Sequence, residues 1–496
     1  MSRGLGDVYK RQVFYLRIED TDEKRKVDGA VETIINVLRY FDIEFDEGAG
    51  FDDTDPRNAY GPYFQRQRVE IYHTYAKSLV ERGLAYPCFC TEEELDKVRA
   101  KQEEDKVLTG YYGEYATCRN LSYEEIEANI KAGKPYVLRL RSQGSPDKEI
   151  TFVDAIKGEI KLPENIHDIV LLKKDGIPTY HFAHAIDDHL MRTTTVVRGG
   201  EWLASAPIHY ELFHLLGFKM PAYAHTAHLM KFDEETGGKR KLSKRKDPEL
   251  SLDYYRKDGY HPYTMKVYLL TLLNSNFEEW HEKFPDKDIN EFPFSVEKMN
   301  QSGALFDKDK LHNICKNELS KLSEEELYDF LYDWARENEP ENVEKWFGDR
   351  EKMLQILRLY MGVGAKRRRK DLMYAKQIFE LISYFFDGES AEEMDEFKLD
   401  EDMVSKILKS YLAKYDHNDD NSVWFNKLKE IADEHGFASD MKAYKANPEN
   451  FKGNVSDIAE AVRIAVTGRA NTPDLWTIVH IMGEEQMTER IKKHIK

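Results

Sequence analysis

The chain has 496 residues and a formal charge of −18, from 73 Lys and Arg against 91 Asp and Glu. Hydrophobic residues make up 41% and charged residues 33%, the balance of a globular chain with real cores, and the acidic excess excludes a protein that coats nucleic acid nonspecifically. Four cysteines do not make a disulfide framework, and no apolar run approaches the roughly 20 residues a bilayer demands, so no membrane partner and a reducing cytoplasm are expected.

Met1–Gln12 has neither a hydrophobic signal core nor an amphipathic transit pattern. Ser2–Gln12 reads as the translation of a transposase sequencing adaptor, so residues 1–12 are expected to be a non-native leader. Phe14–Ile18 alternates as a strand, and Val31, Ile34, Ile35, Leu38 and Phe41 follow at helical spacing, half of a βαβ unit. A second helix runs through Val69, Tyr72, Ala76, Leu79 and Val80 to Gly83. From Cys88 to Pro178 the pattern turns mixed, with strands at Tyr136–Leu140 and Ile169–Leu172 and a hairpin signal at Asp175-Gly176, which marks an insertion. Thr195–Val197 then predicts a strand, Ile208–Leu216 a helix closed by Gly217, and Tyr223–Met230 one more strand. Beyond residue 246 strand signals fade, and amphipathic helices dominate at Met265–Leu273, Glu324–Trp334, Met353–Tyr360, Ala375–Phe386 and Ile458–Val466.

Six of the eight residues from Lys239 to Lys246 are basic, centred on Lys241-Leu242-Ser243-Lys244-Arg245. A loop with two lysines three apart can close over a nucleoside triphosphate and set both ammonium groups on its phosphates, as adenylate formation requires. Read alone, the run is also compatible with a solvated basic loop.

Taken in order, Leu16-Arg17-Ile18-Glu19-Asp20-Thr21-Asp22, Gly61-Pro62-Tyr63-Phe64-Gln65-Arg66, Cys88-Phe89-Cys90-Thr91, Pro178-Thr179-Tyr180, Ile186-Asp187-Asp188-His189-Leu190-Met191 and the lysine loop form a set far more specific than any member. The set resembles the bacterial-type glutamyl-tRNA synthetases, class I aminoacyl-tRNA synthetases, over most of 13–495. That resemblance implies an α/β Rossmann-like catalytic domain (13–84 and 179–246) with an inserted α+β acceptor-binding domain (85–178). A stem-contact region (247–320) and an all-α anticodon-binding domain (321–496) would follow. It implies ATP-dependent activation of L-glutamate as the adenylate and transfer to the 3′ end of tRNA(Glu), with Mg2+ as cofactor and the enzyme a monomer. Lys244 and Lys241 would carry the phosphoryl electrostatics, with Leu242, Ser243 and Arg245 completing the ATP loop and the backbone of Leu229 and Met230 receiving adenine. Glu19 would take the ammonium of glutamate, and Arg198 with Tyr180 its side-chain carboxylate. Cys88, Cys90 and Cys118 resemble the zinc site of some family members. The fourth ligand is open among Glu114, Tyr115 and Tyr112, and three reduced, partly buried cysteines are the alternative. Lys366, Arg367, Arg368, Arg369 and Lys370 are a candidate tRNA contact or, equally, a solvated helix face.

The resemblance has gaps. The HIGH signature of the family precedes its LRIEDTD strand, with an arginine and a serine that bind glutamate, and none of these is present. The chain as written is therefore expected to form glutamyl-adenylate poorly. Gly200 stands where an acidic residue is usual, and His184 where an asparagine is common. The alternatives are a noncatalytic tRNA-binding paralogue, a tRNA-modifying relative, which usually lacks the helical C-terminal domain, and glutaminyl-tRNA synthetase, whose second half does not usually carry the IDDHLM run.

Overall fold

The computed structural model describes residues 13–22, 29–50, 58–233, 235–243, 245–301, 303–386 and 394–496, so the leader and Lys244 lie outside the described residues. The chain forms two compact units. One runs through Asp253 and takes in Lys266–Asp307; the other combines Tyr254–Met265 with Lys308–Lys496.

In the first unit the opening strand β1 (Tyr15–Leu16) pairs in parallel with β2 (Glu47–Gly48), joined by helix α1 (Ala30–Tyr40), as the βαβ reading requires. Ile35 and Val37 turn inward on α1, whereas Ile34 is left exposed. Helix α2 (Val69–Glu81) leads into the insertion: strand β3 (Ala85–Cys88), helices α3 (Glu92–Glu104) and α4 (Tyr123–Lys131), then strands β4 (Val137–Leu140), β5 (Glu149–Asp154), β6 (Gly158–Pro163) and β7 (Val170–Leu172). The order β3-β4-β7 makes an antiparallel sheet. After β7 the chain reverses at Gly176, whose φ of 79° is easy only for glycine, and Lys173 N–H bonds Ile177 O at 2.9 Å. The Asp175-Gly176 signal is therefore a real turn.

Helix α5 (Tyr180–Leu190), strand β8 (Thr195–Gly199), helix α6 (Ala206–Leu216) and strand β9 (Ala222–Thr226) follow, and α6 stops at Gly217 in the left-handed region. Tyr72, Leu79, Leu140, Leu171, Phe182, Ile186, Leu212 and Phe213 are all buried together, so α2, β4, β7, α5 and α6 share one core.

Two features depart from the sequence reading. The expected strand Tyr223–Met230 is two strands: the chain leaves β9 at Thr226 and re-enters as β10 (Leu229–Phe232), which joins β11 (Lys239–Lys241) and β12 (Ala304–Leu305) in a separate sheet, order β11-β10-β12. The hairpin β5–β6, which lies within 85–178, adds to the parallel pair to give β6-β5-β9-β8, with Asp154 opposite Tyr223.

The second unit is helical, as the C-terminal pattern requires. Its main helices are α7 (Glu324–Asn338), α8 (Arg350–Met361), α9 (Ala375–Ile382), α10 (Glu401–Lys414), α11 (Asn421–His435), α12 (Val455–Thr467), α13 (Leu475–Met482) and α14 (Glu484–Lys492). Helix α7 starts on a capping box between Ser323 and Glu326, which satisfies two orphan N–H groups. Helix α8 ends at Gly362, φ 65°, where an added Cβ would lie 2.9 Å from Arg369 Cγ. The helices bury aliphatic faces: Leu331, Ile356, Leu357 and Ile378 are 0% exposed, as are Leu428, Ile431, Ile458 and Val462. No helix among the described residues is long and apolar enough to cross a membrane.

Candidate active site

A cavity of about 1180 Å3 opens in the first unit, lined among others by Arg17, Glu19, Tyr180, His184, Arg198 and Trp202. Arg17 and Glu19 follow β1, Arg198 lies near the carboxyl end of β8, and Tyr180 opens α5. This is the edge at which parallel sheets receive ligands. The structure thus brings together Glu19, Tyr180 and Arg198, the three residues expected to hold glutamate.

Asp188 lines one wall, and Asp187 anchors it from behind. Asp187 is fully buried and accepts from Gln65 Nε2 (3.0 Å), Arg68 Nε (2.8 Å) and Tyr72 OH (2.8 Å), which ties the IDDHLM run to the end of the GPYFQR run. Asp188 accepts from Arg17 Nη1 at 2.9 Å and faces His184 Nδ1 at 3.0 Å. Burial by itself would raise the Asp188 carboxyl, but the nearby His184 and Arg17 outweigh it and hold it at about 2. Arg17 also lies 3.6 Å from Glu19. The Glu19 carboxyl is pushed up by burial, moderated by Arg17 and His184. Glu19 therefore both faces the cavity and keeps a strand-end ion pair.

Across the cavity Arg198 donates from Nε to His225 Nε2 (2.9 Å) and from Nη1 to His209 Nδ1 (3.1 Å) and Tyr180 OH (3.4 Å). Its guanidinium lies 4.6 Å from the centre of the Tyr223 ring. His209 Nε2 meets His181 Nδ1 at 2.9 Å, and Tyr180 stacks on His184 with 17° between planes. Burial drives His209 well below the usual imidazole range and His181 to about 4, and the nearby His184 and Arg198 charges push the same way. Both are neutral at pH 7, which lets His209 accept from Arg198. Burial and the Glu19 charge raise the Tyr180 hydroxyl to about 12, so it stays a donor.

The lysine loop is braced rather than loose on its described residues. Lys241 ends β11, Leu242 is buried, and Arg245 is exposed. The buried Asp247 accepts two 2.7 Å bonds from Arg240 and one of 2.8 Å from Ser243 N–H, with Lys231 at 3.1 Å. Its carboxyl is strongly lowered, first by the Arg240 hydrogen bonds. The carbonyls of Leu229 and Met230 already accept from Leu242 N–H and Phe306 N–H. Neither these two residues nor Lys241 lines the cavity. The link is Glu201, beside Trp202, whose carboxylate lies 3.8 Å from Lys241 Nζ.

Cys88, Cys90 and Cys118 converge with their sulfurs within 4.8 Å of one another. Cys90 and Cys118 are 3.5 Å apart, and the Tyr111 hydroxyl is 3.3 Å from both Cys88 and Cys90. Tetrahedral zinc with bonds of about 2.3 Å sets its sulfurs about 3.8 Å apart, so these residues fit that ion. The side chains named as possible fourth ligands point elsewhere: Tyr112 OH donates to Leu108 O, Tyr115 OH to Asp105, and Glu114 lies outside the cluster. Cys315 is buried at 3.6 Å from Thr264 Oγ1, as a packed thiol should be.

Lys366–Lys370 occupies a loop rather than a helix face. Lys366, Arg367 and Arg368 are exposed, while Arg369 pairs with Asp371 at 2.6 Å and Lys370 bonds Asn317 at 2.7 Å.

Residues 9–313 match the family described as tRNA synthetases class I (E and Q), catalytic domain, and residues 326–495 the anticodon binding domain. The chain belongs to these class I tRNA synthetases. It is 54% identical over 483 residues to a glutamate–tRNA ligase of Acetivibrio thermocellus, covering 97% of this chain and 87% of that one. A glutamate–tRNA ligase of Clostridium perfringens is 46% identical over 488 residues, covering 97% and 88%. The crystal structure of a glutamate tRNA ligase from Elizabethkingia meningosepticum, in complex with its amino acid, matches with a TM-score of 0.72 at 26% identity, over 97% of this chain and 92% of that one.

Proposed function

We infer that this chain is a glutamate–tRNA ligase. Its relatives carry that activity, and the observation that carries the assignment to this cavity is the pairing of Glu19 on one side with Arg198 and Tyr180 on the other. An amino acid with two carboxylates and one ammonium is complementary to an acid facing a guanidinium. Glu19 takes the ammonium, and Arg198 with the Tyr180 hydroxyl takes the side-chain carboxylate. The α-carboxylate oxygen then bonds to the α-phosphorus of ATP as the bond to pyrophosphate breaks. A ribose hydroxyl of the terminal tRNA adenosine next attacks the acyl carbon, releasing AMP and giving up its proton. No covalent enzyme intermediate is needed. Lys241 and Lys244, on the loop braced by Asp247, lie in the run suited to neutralising the phosphates, and Mg2+ would share that charge. Leu229 and Met230 would receive adenine, with Leu242, Ser243 and Arg245 completing the loop. Cys88, Cys90 and Cys118 would hold a structural zinc with the Tyr111 hydroxyl adjacent, and the exposed cations at 366–368 would meet tRNA.

Arg198→Ala tests the reading. It should weaken glutamate binding at least about 10²-fold while ATP binding barely changes, because an unpaired buried charge costs roughly 3 kcal/mol or more. Unchanged glutamate binding would place the arginine outside the amino-acid site. Elemental analysis should find about one zinc per chain.

A further inference from the structure

Arg198 is oriented by two imidazoles and a phenol rather than by a carboxylate. Its Nε–H goes to His225 Nε2 at 2.9 Å, and His225 Nδ1 meets Asp154 Oδ2 at 2.6 Å. An ionised carboxylate can only accept, so it fixes the imidazole proton on Nδ1 and leaves the Nε2 lone pair for the arginine. Asp154 itself cannot turn. Its oxygens also accept from the backbone N–H of Ile156 (2.9 Å), Lys157 (2.9 Å) and His225 (3.0 Å), and the side chains of Asp154 and His225 are both 0% exposed. A continuous relay thus runs from the end of β5 through β9 to the cavity.

We propose that Asp154 and His225 are positioning residues for carboxylate recognition: Asp154 locks the His225 tautomer, and the locked imidazole aims Arg198 so that its remaining donors select a carboxylate over a carboxamide. This rests on the reading that Arg198 receives the substrate's side-chain carboxylate. The interposed imidazole is what makes the arrangement useful. A carboxylate placed directly on Arg198 would neutralise it and compete with the substrate, whereas a neutral acceptor fixes direction and leaves the positive charge available. With Nε on His225, Nη1 on His209 and Tyr180, and Nη2 3.5 Å from the Trp202 carbonyl, the guanidinium plane is fixed, and Nη2, held by the longest of these bonds, is the donor left for the substrate. Glutamate satisfies that donor, while the NH2 of glutamine would meet it as a second donor.

The full chain can be tested by calorimetry with glutamate and glutamine, using Arg198→Ala, His225→Leu and His225→Gln, alongside long-range 1H–15N spectra of histidine-labelled protein. His225→Leu should weaken glutamate binding about tenfold or more and shrink the glutamate-over-glutamine preference by a similar factor. His225→Gln, whose Oε1 can accept from Nε–H, should recover most of both. The spectra should show the His225 proton on Nδ1, and Asp154→Asn should shift that signal. A wild-type chain that binds the two amino acids alike, or an Arg198→Ala chain that binds glutamate normally, overturns the underlying reading. Loss of binding in Arg198→Ala with an unchanged preference in His225→Leu, or a His225 proton found on Nε2, overturns the relay instead.

Discussion

Asp187 in the first unit and Leu357 in the second are both 0% exposed, and they are buried on different terms. Leu357 is held by contact with other apolar groups, an attraction without direction that depends on volume. Asp187 is held by three donors from α2 and the segment before it, and its burial is tolerable only because all three point at it. A core of the first kind forgives apolar exchanges that keep volume and small rearrangements of packing. A core of the second kind forgives neither, and that intolerance is what fixes the wall of the cavity to within a hydrogen bond.

The sharpest way to break this contrast is Asp187→Ala, which leaves the Arg68 guanidinium buried without its acid. It should cost about 3–5 kcal/mol in the unfolding transition of the first unit. Asp187→Asn keeps the shape yet turns one acceptor into a donor facing donors. A nearly neutral Asp187→Asn in denaturant titration would show that the two interiors tolerate substitution alike. Leu357→Ala should cost about 2–5 kcal/mol in the second unit, whereas Leu357→Met, near in volume, should cost less than about 1.5 kcal/mol.

Acid separates the two kinds of interior further. His181 sits at about 4 in the folded chain, lowered first by burial and then by the His184 and Arg198 charges, against an ordinary value near 6.5 when unfolded. Between those values the unfolded chain binds the extra proton, so stability falls as pH drops from about 6.5 to about 4. The loss from this residue is on the order of 1–3 kcal/mol. Stability measured across that window should slope less in His181→Gln. At the small end, Ser323→Ala removes half of a capping box on an exposed turn and should cost about 1 kcal/mol, read as a modest drop in the midpoint of the second unit.

Much of this was legible in the sequence because the signals are local. Helical spacing located the C-terminal helices, Gly217 closed α6, and Asp175-Gly176 marked its turn. Glu19, Tyr180 and Arg198 were found through their motifs, and they do share one cavity. What stayed hidden depends on distance along the chain. Asp154 and His225 are 71 residues apart, and no local pattern joins them. A signal was present all the same: in Glu149–Asp154 the inward positions are Ile150, Phe152 and Asp154, so an acid sits on an otherwise apolar strand face. Asp247 follows directly on the basic run 239–246, and nothing local in the sequence marks it as the acid that braces those charges. The break between β9 and β10 was missed because Tyr223–Met230 is strand-compatible throughout, and only the change of sheet partner divides it.

The distances that hide these contacts also set a schedule. Tyr72, Arg68 and Gln65 precede Asp187 by 115, 119 and 122 residues. At a synthesis rate of about 5–20 residues per second, Arg68 leaves the ribosome roughly 6–24 s before the carboxylate that will neutralise it. Until then it must stay hydrated, and α2 cannot settle against α5. The pocket wall therefore stays incomplete until Asp187 has emerged, and nascent chains halted between residues 72 and 187 should carry a protease-sensitive α2 even where the local helix has formed.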